Sequence, residues 1–83
     1  GQVTSGDGLT EREVRAGRAA LVLLDAGVSA ATRDKYVFLC ASRGIRVYLV
    51  SADALGKAIG KENRMIAAVK KGPLADKMAA LLT

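Results

Sequence analysis

The sequence predicts an α/β fold on three observations. Helical and strand signals alternate from end to end, Ala20-Leu21-Val22-Leu23-Leu24 forms an unbroken apolar run, and Ile45-Arg46-Val47-Tyr48-Leu49-Val50 alternates with a period of two. A continuous apolar run bounded by turn residues is the pattern of a central strand covered on both faces. At 83 residues the chain is expected to be one domain, 1–83, with no linker, low-complexity segment or internal repeat.

Gln2-Val3-Thr4 reads as a short edge strand. Ser5-Gly6-Asp7-Gly8-Leu9-Thr10-Glu11-Arg12 then opens a helix, with Leu9, Val14 and Ala16 on its apolar face and Gly17 at the C′ position. After the first central strand, Ser29 is the N-cap of a helix reaching Arg43. Thr32, Tyr36, Leu39 and Cys40 recur there at spacings of three and four, and Gly44 ends it. The alternation after Gly44 places Ile45, Val47 and Leu49 on one face of a strand. Ser51 and Asp53 mark another helix start, with Leu55, Ala58 and Ile59 buried before Gly60. Met65-Ile66-Ala67-Ala68-Val69 is a further strand, whose alanines allow a helix to lie close. Lys70-Lys71-Gly72-Pro73 is a turn, and Pro73 opens a final helix with Leu74, Met78, Leu81 and Leu82 as its stripe.

Composition narrows function. There is no histidine and a single cysteine, so the commonest general base is missing and no zinc site can be completed from cysteine and histidine. Cys40 sits in a helical apolar pattern, which predicts an inert buried thiol and fits a reducing cytoplasm. Asp25, Asp34, Asp53 and Asp76 are scattered over different elements, and Ser29 and Ser51 read as caps without a base. Enzymatic chemistry is therefore not expected, nor is a cofactor or a metal. No apolar run approaches a bilayer span, and the start lacks the pattern of a signal peptide.

The formal charge of +5 favours an anionic partner: nucleic acid first, an acidic protein or membrane surface as alternatives. Two segments suggest where such a partner would sit. The start of the first helix exposes unpaired N–H groups at its positive end, where Gly6 and Gly8 leave room for a ligand backbone. The segment Leu55-Gly56-Lys57-Ala58-Ile59-Gly60-Lys61-Glu62-Asn63-Arg64 adds Lys57, Lys61 and Arg64 around a turn. The first segment lacks the spacing and the Gly-Lys-Ser/Thr ending of a P-loop. Tyr36, Phe38 and Tyr48 are too few and too separated for a single-strand stacking platform, so structured RNA read by shape fits better.

In this order the chain resembles the kink-turn RNA-binding ribosomal protein family, the one containing archaeal L-seven-Ae and eukaryotic L-thirty-e, and most of all its bacterial YlxQ-type branch. The residues that carry the likeness are Gln2-Val3-Thr4-Ser5-Gly6, Gly17-Arg18-Ala19-Ala20-Leu21-Val22-Leu23-Leu24 and the Leu55-Gly56-Lys57-Ala58-Ile59-Gly60-Lys61-Glu62 block. The resemblance implies a three-layer α/β/α sandwich with a mixed four-stranded sheet. It also implies one more helix ahead of Gln2, where this sequence begins, so that one sheet face is covered either by such a helix or by another chain.

For function, the resemblance implies a first helix entering the major groove of a sharply bent RNA at tandem sheared G·A pairs, with the later loop packing on the bend. Carried onto this sequence, the RNA-binding residues are Gly6, Asp7, Gly8, Leu9 and Arg12 on one side, to which Arg15, near the end of the same helix, is added as a candidate phosphate contact. Ile59, Gly60, Lys61, Glu62, Asn63, Arg64 and Met65 form the other. Gly6 matches the family motif and Arg12 keeps a cation where the family has lysine, while Gly8 and Leu9 replace its asparagine and glutamate. The expectation is a monomeric, non-enzymatic RNA-binding protein of the ribosome or of RNA metabolism. The alternative is a protein-interaction module that kept the fold and lost specific RNA readout.

Overall fold

A computed structural model describes residues 3–50 and 66–82. The expected helix over residues 53–59, and with it the site residues Ile59, Gly60, Lys61, Glu62, Asn63, Arg64 and Met65, lies outside the described residues. The described elements run β1 (Val3–Ser5), α1 (Asp7–Arg15), β2 (Ala19–Asp25), α2 (Ala30–Ala41), β3 (Arg46–Val50), β4 (Ile66–Lys70) and α3 (Pro73–Leu82). The four strands form one mixed sheet in the order β1-β4-β2-β3. β2 is parallel to β3, with Leu23 opposite Tyr48, and antiparallel to β4, with Val22 opposite Ala68; β4 is antiparallel to β1, with Val3 opposite Val69.

β2 is central because its apolar run has two faces to bury. Val22 and Leu24 point into a cluster with Val14 of α1 and with Tyr36, Leu39 and Cys40 of α2. Leu21 and Leu23 point to the opposite face, where they meet Ala67 and Val69 of β4 and Ala75 of α3. Helices thus cover both faces, and the small Ala67 and Ala68 let them approach. Cys40 is fully buried and its thiol is pushed up from its ordinary pKa by that burial, as an inert core cysteine should be.

Several side chains depart from the pattern read in the sequence. On α1 the buried pair is Thr10 and Val14, not Leu9, Val14 and Ala16; Leu9 is 52% exposed. Thr10 and Val14 are four residues apart and so share a face, and the Thr10 hydroxyl satisfies itself on the Thr4 carbonyl at 3.5 Å. Leu49 faces the same way as Val47 but lies 55% exposed on the edge strand β3. On α3, Leu74, Met78 and Ala79 pack against the sheet, whereas Leu81 is 76% exposed in the last turn.

The helix ends follow from local chemistry. Ser29 caps α2 by accepting from the Thr32 N–H at 3.2 Å. α1 ends in a Schellman pair, Arg18 N–H to the Glu13 carbonyl and Gly17 N–H to Val14, with Gly17 at φ 75° supplying the left-handed turn. α2 closes the same way through Gly44 N–H to Ala41 and Ile45 N–H to Cys40.

Candidate nucleic-acid interface

The chain enters α1 through Gly6 at φ 100° and ψ 149°, a conformation that only glycine adopts without strain. Two hydrogen bonds hold it there: Gly6 N–H donates to the Ile66 carbonyl at 2.9 Å, and the Gly6 carbonyl receives the Thr10 N–H at 2.9 Å. The start of α1 is thereby pinned to the end of the sheet. Gly6 N–H is therefore occupied by β4, and the amides left for a ligand are those of Asp7, Gly8 and Leu9, which have no hydrogen-bond partner among the described residues.

Gly8 sits within α1, where glycine costs about 1 kcal/mol of helix stability relative to alanine. Nothing lies within 4 Å of the position a Cβ would take at Gly8, so packing does not demand glycine there. Outward from it, Gly8, Glu11, Arg12, Arg15 and Ala16 line a shallow, wide-open concavity of about 600 Å³. Arg12 is exposed, and its guanidinium makes no hydrogen bond or ion pair with a described residue. Arg15 is exposed too, with its Nε on the Glu11 carboxylate at 2.9 Å and its terminal amines left over.

Asp7 takes a different part. Its carboxylate is held by the Tyr36 hydroxyl at 2.5 Å and by Lys35 Nζ at 3.1 Å, and the same hydroxyl reaches the Asp7 carbonyl oxygen at 2.8 Å. These bonds, the Tyr36 one first, hold the carboxyl below its ordinary pKa; the position at the positive end of a helix suits the same ionised form. Tyr36 itself has no exposed surface, and burial followed by the Asp7 hydrogen bond pushes its hydroxyl pKa upward. Asp7 thus positions the start of α1.

Lys35 joins this group without having been singled out in the sequence. It bridges Asp7 and Glu11, the latter at 2.7 Å, and stands 5.2 Å from the centre of the Tyr36 ring. Hydrogen bonds from Lys35 and then Arg15 hold the Glu11 carboxyl low as well. The available signal was the i,i+4 pair Asp7 and Glu11, two carboxylates on one helix face that call for a cation from a neighbouring element. The net effect is that neither acid presents an uncompensated charge beside Arg12.

Of the expected site residues, the structure brings Gly6, Asp7, Gly8, Leu9, Arg12 and Arg15 together along α1. No group of acidic, histidine or cysteine side chains among the described residues could hold a metal ion, and no described helix is long and apolar enough to cross a membrane.

This combination of a mixed sheet, helices on both faces and an open glycine-rich helix start defines a class of small α/β proteins that present a helix end at the rim of the sheet. The chain belongs to the ribosomal protein L7Ae/L30e/S12e/Gadd45 family, whose model matches residues 1–78. It is 38% identical over 82 residues to the RNA-binding protein YlxQ of Bacillus subtilis (strain 168), covering 98% of this chain and 82% of that protein. A solved structure of a Bacillus halodurans protein of unknown function superposes with a TM-score of 0.89 at 33% identity, over 98% of this chain and 83% of the other. The 15.5kD RNA-binding protein of Giardia lamblia shares the fold, with a TM-score of 0.79 at 20% identity over 98% and 70% of the two chains.

Proposed function

We propose that this protein binds a bent, structured RNA of the kink-turn type, without enzymatic activity, in the cytoplasm and as part of ribosomal or other RNA metabolism. The observation that carries the reading is Gly8: a helix-weakening residue that the fold does not need, set among free amides and beside the exposed Arg12. Family membership and the RNA-binding name of the Bacillus subtilis relative support the RNA-binding part of this reading. In this proposal the Asp7, Gly8 and Leu9 amides meet phosphate or base edges and Arg12 offers a bidentate fork to phosphate or guanine. Residues 59–65, which lie outside the described residues, are assigned to the other side of the bend by the family resemblance alone.

The departures at Gly8 and Leu9 remove two polar side chains expected to read bases. Affinity here would then lean on backbone amides and charge, which position an RNA but discriminate weakly. Titration of a labelled kink-turn RNA against a straight duplex of equal length, at two salt concentrations, tests this. The bent RNA binds more tightly, binding weakens with salt, and Arg12→Ala lowers affinity about tenfold. Failure to bind at low salt, or binding indifferent to Arg12, overturns it.

The exposed Leu9 beside this surface favours a second reading, a protein-interaction module. Partners captured from a lysate that survive ribonuclease treatment support that reading, and partners that disappear on digestion oppose it.

A further inference from the structure

At the opposite end of α1 lies a second concave surface of about 600 Å³, bounded by Arg15, Arg43 and Lys71 over a floor that includes Val14, Ala19 and Ile45. No acidic residue lines it among the described residues. The nearby Glu13 is engaged by Arg18 at 2.7 Å. Helix C-termini ordinarily repel anions through their free carbonyls. Here several of those carbonyls are occupied: Arg12, Glu13 and Val14 receive backbone N–H groups at the end of α1, and Leu39 receives the Ser42 hydroxyl and Arg43 Nη1 at the end of α2.

Two of the three cations are available, and the third, Arg15, keeps its terminal amines although its Nε is held by Glu11. Arg43 is steadied by its Nη1 bonds to the Leu39 carbonyl at 3.3 Å and the Ser42 hydroxyl at 3.1 Å, leaving Nη2 and Nε without a described partner. The Lys71 ammonium has no hydrogen bond or ion pair among the described residues. Arg15 and Ala16 line both this surface and the one beside Gly8 and Arg12, so the two are continuous. Gly8, Arg12 and Arg15, spaced four and three apart, form one stripe down the nine residues of α1, roughly 14 Å long, comparable to a few base-pair steps.

We propose that the surface bounded by Arg15, Arg43 and Lys71 is a second phosphate-binding site, which holds the backbone of a stem flanking the RNA element bound at the start of α1. This inference rests on the RNA-binding reading above and deepens it. The apolar floor admits a sugar edge, and the rim meets phosphates without reading sequence.

The test compares two kink-turn RNAs, one with a short flanking stem and one longer by about one helical turn, across a salt series. For the longer RNA, Arg43→Gln/Lys71→Gln weakens binding about tenfold and reduces the slope of log affinity against log salt by about 2, close to one for each phosphate no longer held. The shorter RNA is unaffected. Because Arg43 also caps α2, Lys71→Gln alone serves as the second variant, with a smaller loss in the same direction. Unchanged affinity and slope for the longer RNA in both variants, while Arg12→Ala weakens both RNAs, overturns the second site and leaves the first standing. That outcome includes a groove that instead captures an acidic protein. If the unaltered protein binds neither RNA, the RNA-binding reading itself fails, and this site with it.

Discussion

The two ends of α1 solve different problems. At the N-terminal end the protein fixes shape: Gly6 is bonded to Ile66 and Thr10, and Asp7 is clamped by the buried Tyr36 and by Lys35, so the amides of Asp7 to Leu9 project from a rigid start. The two carboxylates there are nearly balanced, since Asp7 and Glu11 share Lys35 and Glu11 also pairs with Arg15. At the C-terminal end a Schellman pair finishes the backbone and the surrounding side chains supply charge, with Arg15, Arg43 and Lys71 on one rim. The contrast teaches that a net charge of +5 says little about where an anion is oriented. In the proposed binding mode, orientation comes from the end where charge is nearly cancelled.

Substitutions at the N-terminal end should therefore be the most damaging. Tyr36→Ala removes a fully buried ring and is expected to cost about 3–5 kcal/mol in denaturant unfolding. Gly6→Ala forces a side chain onto a φ of 100° and is expected to cost about 1–3 kcal/mol, with loss of RNA affinity from a displaced α1. Gly8→Ala separates stability from binding: the protein gains up to about 1 kcal/mol while RNA affinity falls, because the new methyl occupies the open approach. Equal RNA affinity in Gly8→Ala would show that the N-terminal end does not need this opening.

The pH dependence follows from the same clamp. Asp7 and Glu11 have folded pKa values below their ordinary 3.8 and 4.5, so their contribution is present above that range and is lost as pH falls through the lowered values. Tyr36 is raised above its ordinary 10.0, so its contribution is complete below pH 10 and declines as pH climbs beyond it. Unfolding curves from acid to alkaline pH check both limbs, and Tyr36→Phe weakens the alkaline one, to which the raised pKa values of Lys35 and Cys40 also contribute. The smallest effect is expected at Tyr48, whose buried hydroxyl has no partner among the described residues: Tyr48→Phe should leave stability unchanged or slightly higher, where Tyr36→Phe costs about 1–2 kcal/mol.

Much of the fold was legible because the strongest elements carry redundant signals. The β2 run is apolar on both faces, and α2 carries an N-cap serine and a closing glycine around Tyr36, Leu39 and Cys40. Thr10 escapes a reading by residue type because a threonine reads as surface, yet it is fully buried with its hydroxyl on the Thr4 carbonyl, while Leu9 is exposed. Spacing alone reads Leu49 and Leu81 as buried, and it cannot show that an edge strand or a last helical turn runs beyond its cover. In the candidate site, glycines and cations were visible as residue types. The Asp7–Tyr36–Lys35 clamp was not, since it joins residues 28 and 29 positions apart and exists only once α2 lies beside α1.

The most direct test of the central claim, that the start of α1 receives the RNA, is a titration of isotope-labelled protein with a kink-turn RNA, followed by backbone amide chemical shifts. The account predicts the largest changes at Asp7, Gly8, Leu9 and Arg12, with smaller ones reaching Arg15. Changes centred instead on the outer face of α2 around Phe38, which is 80% exposed, with α1 silent, would contradict it.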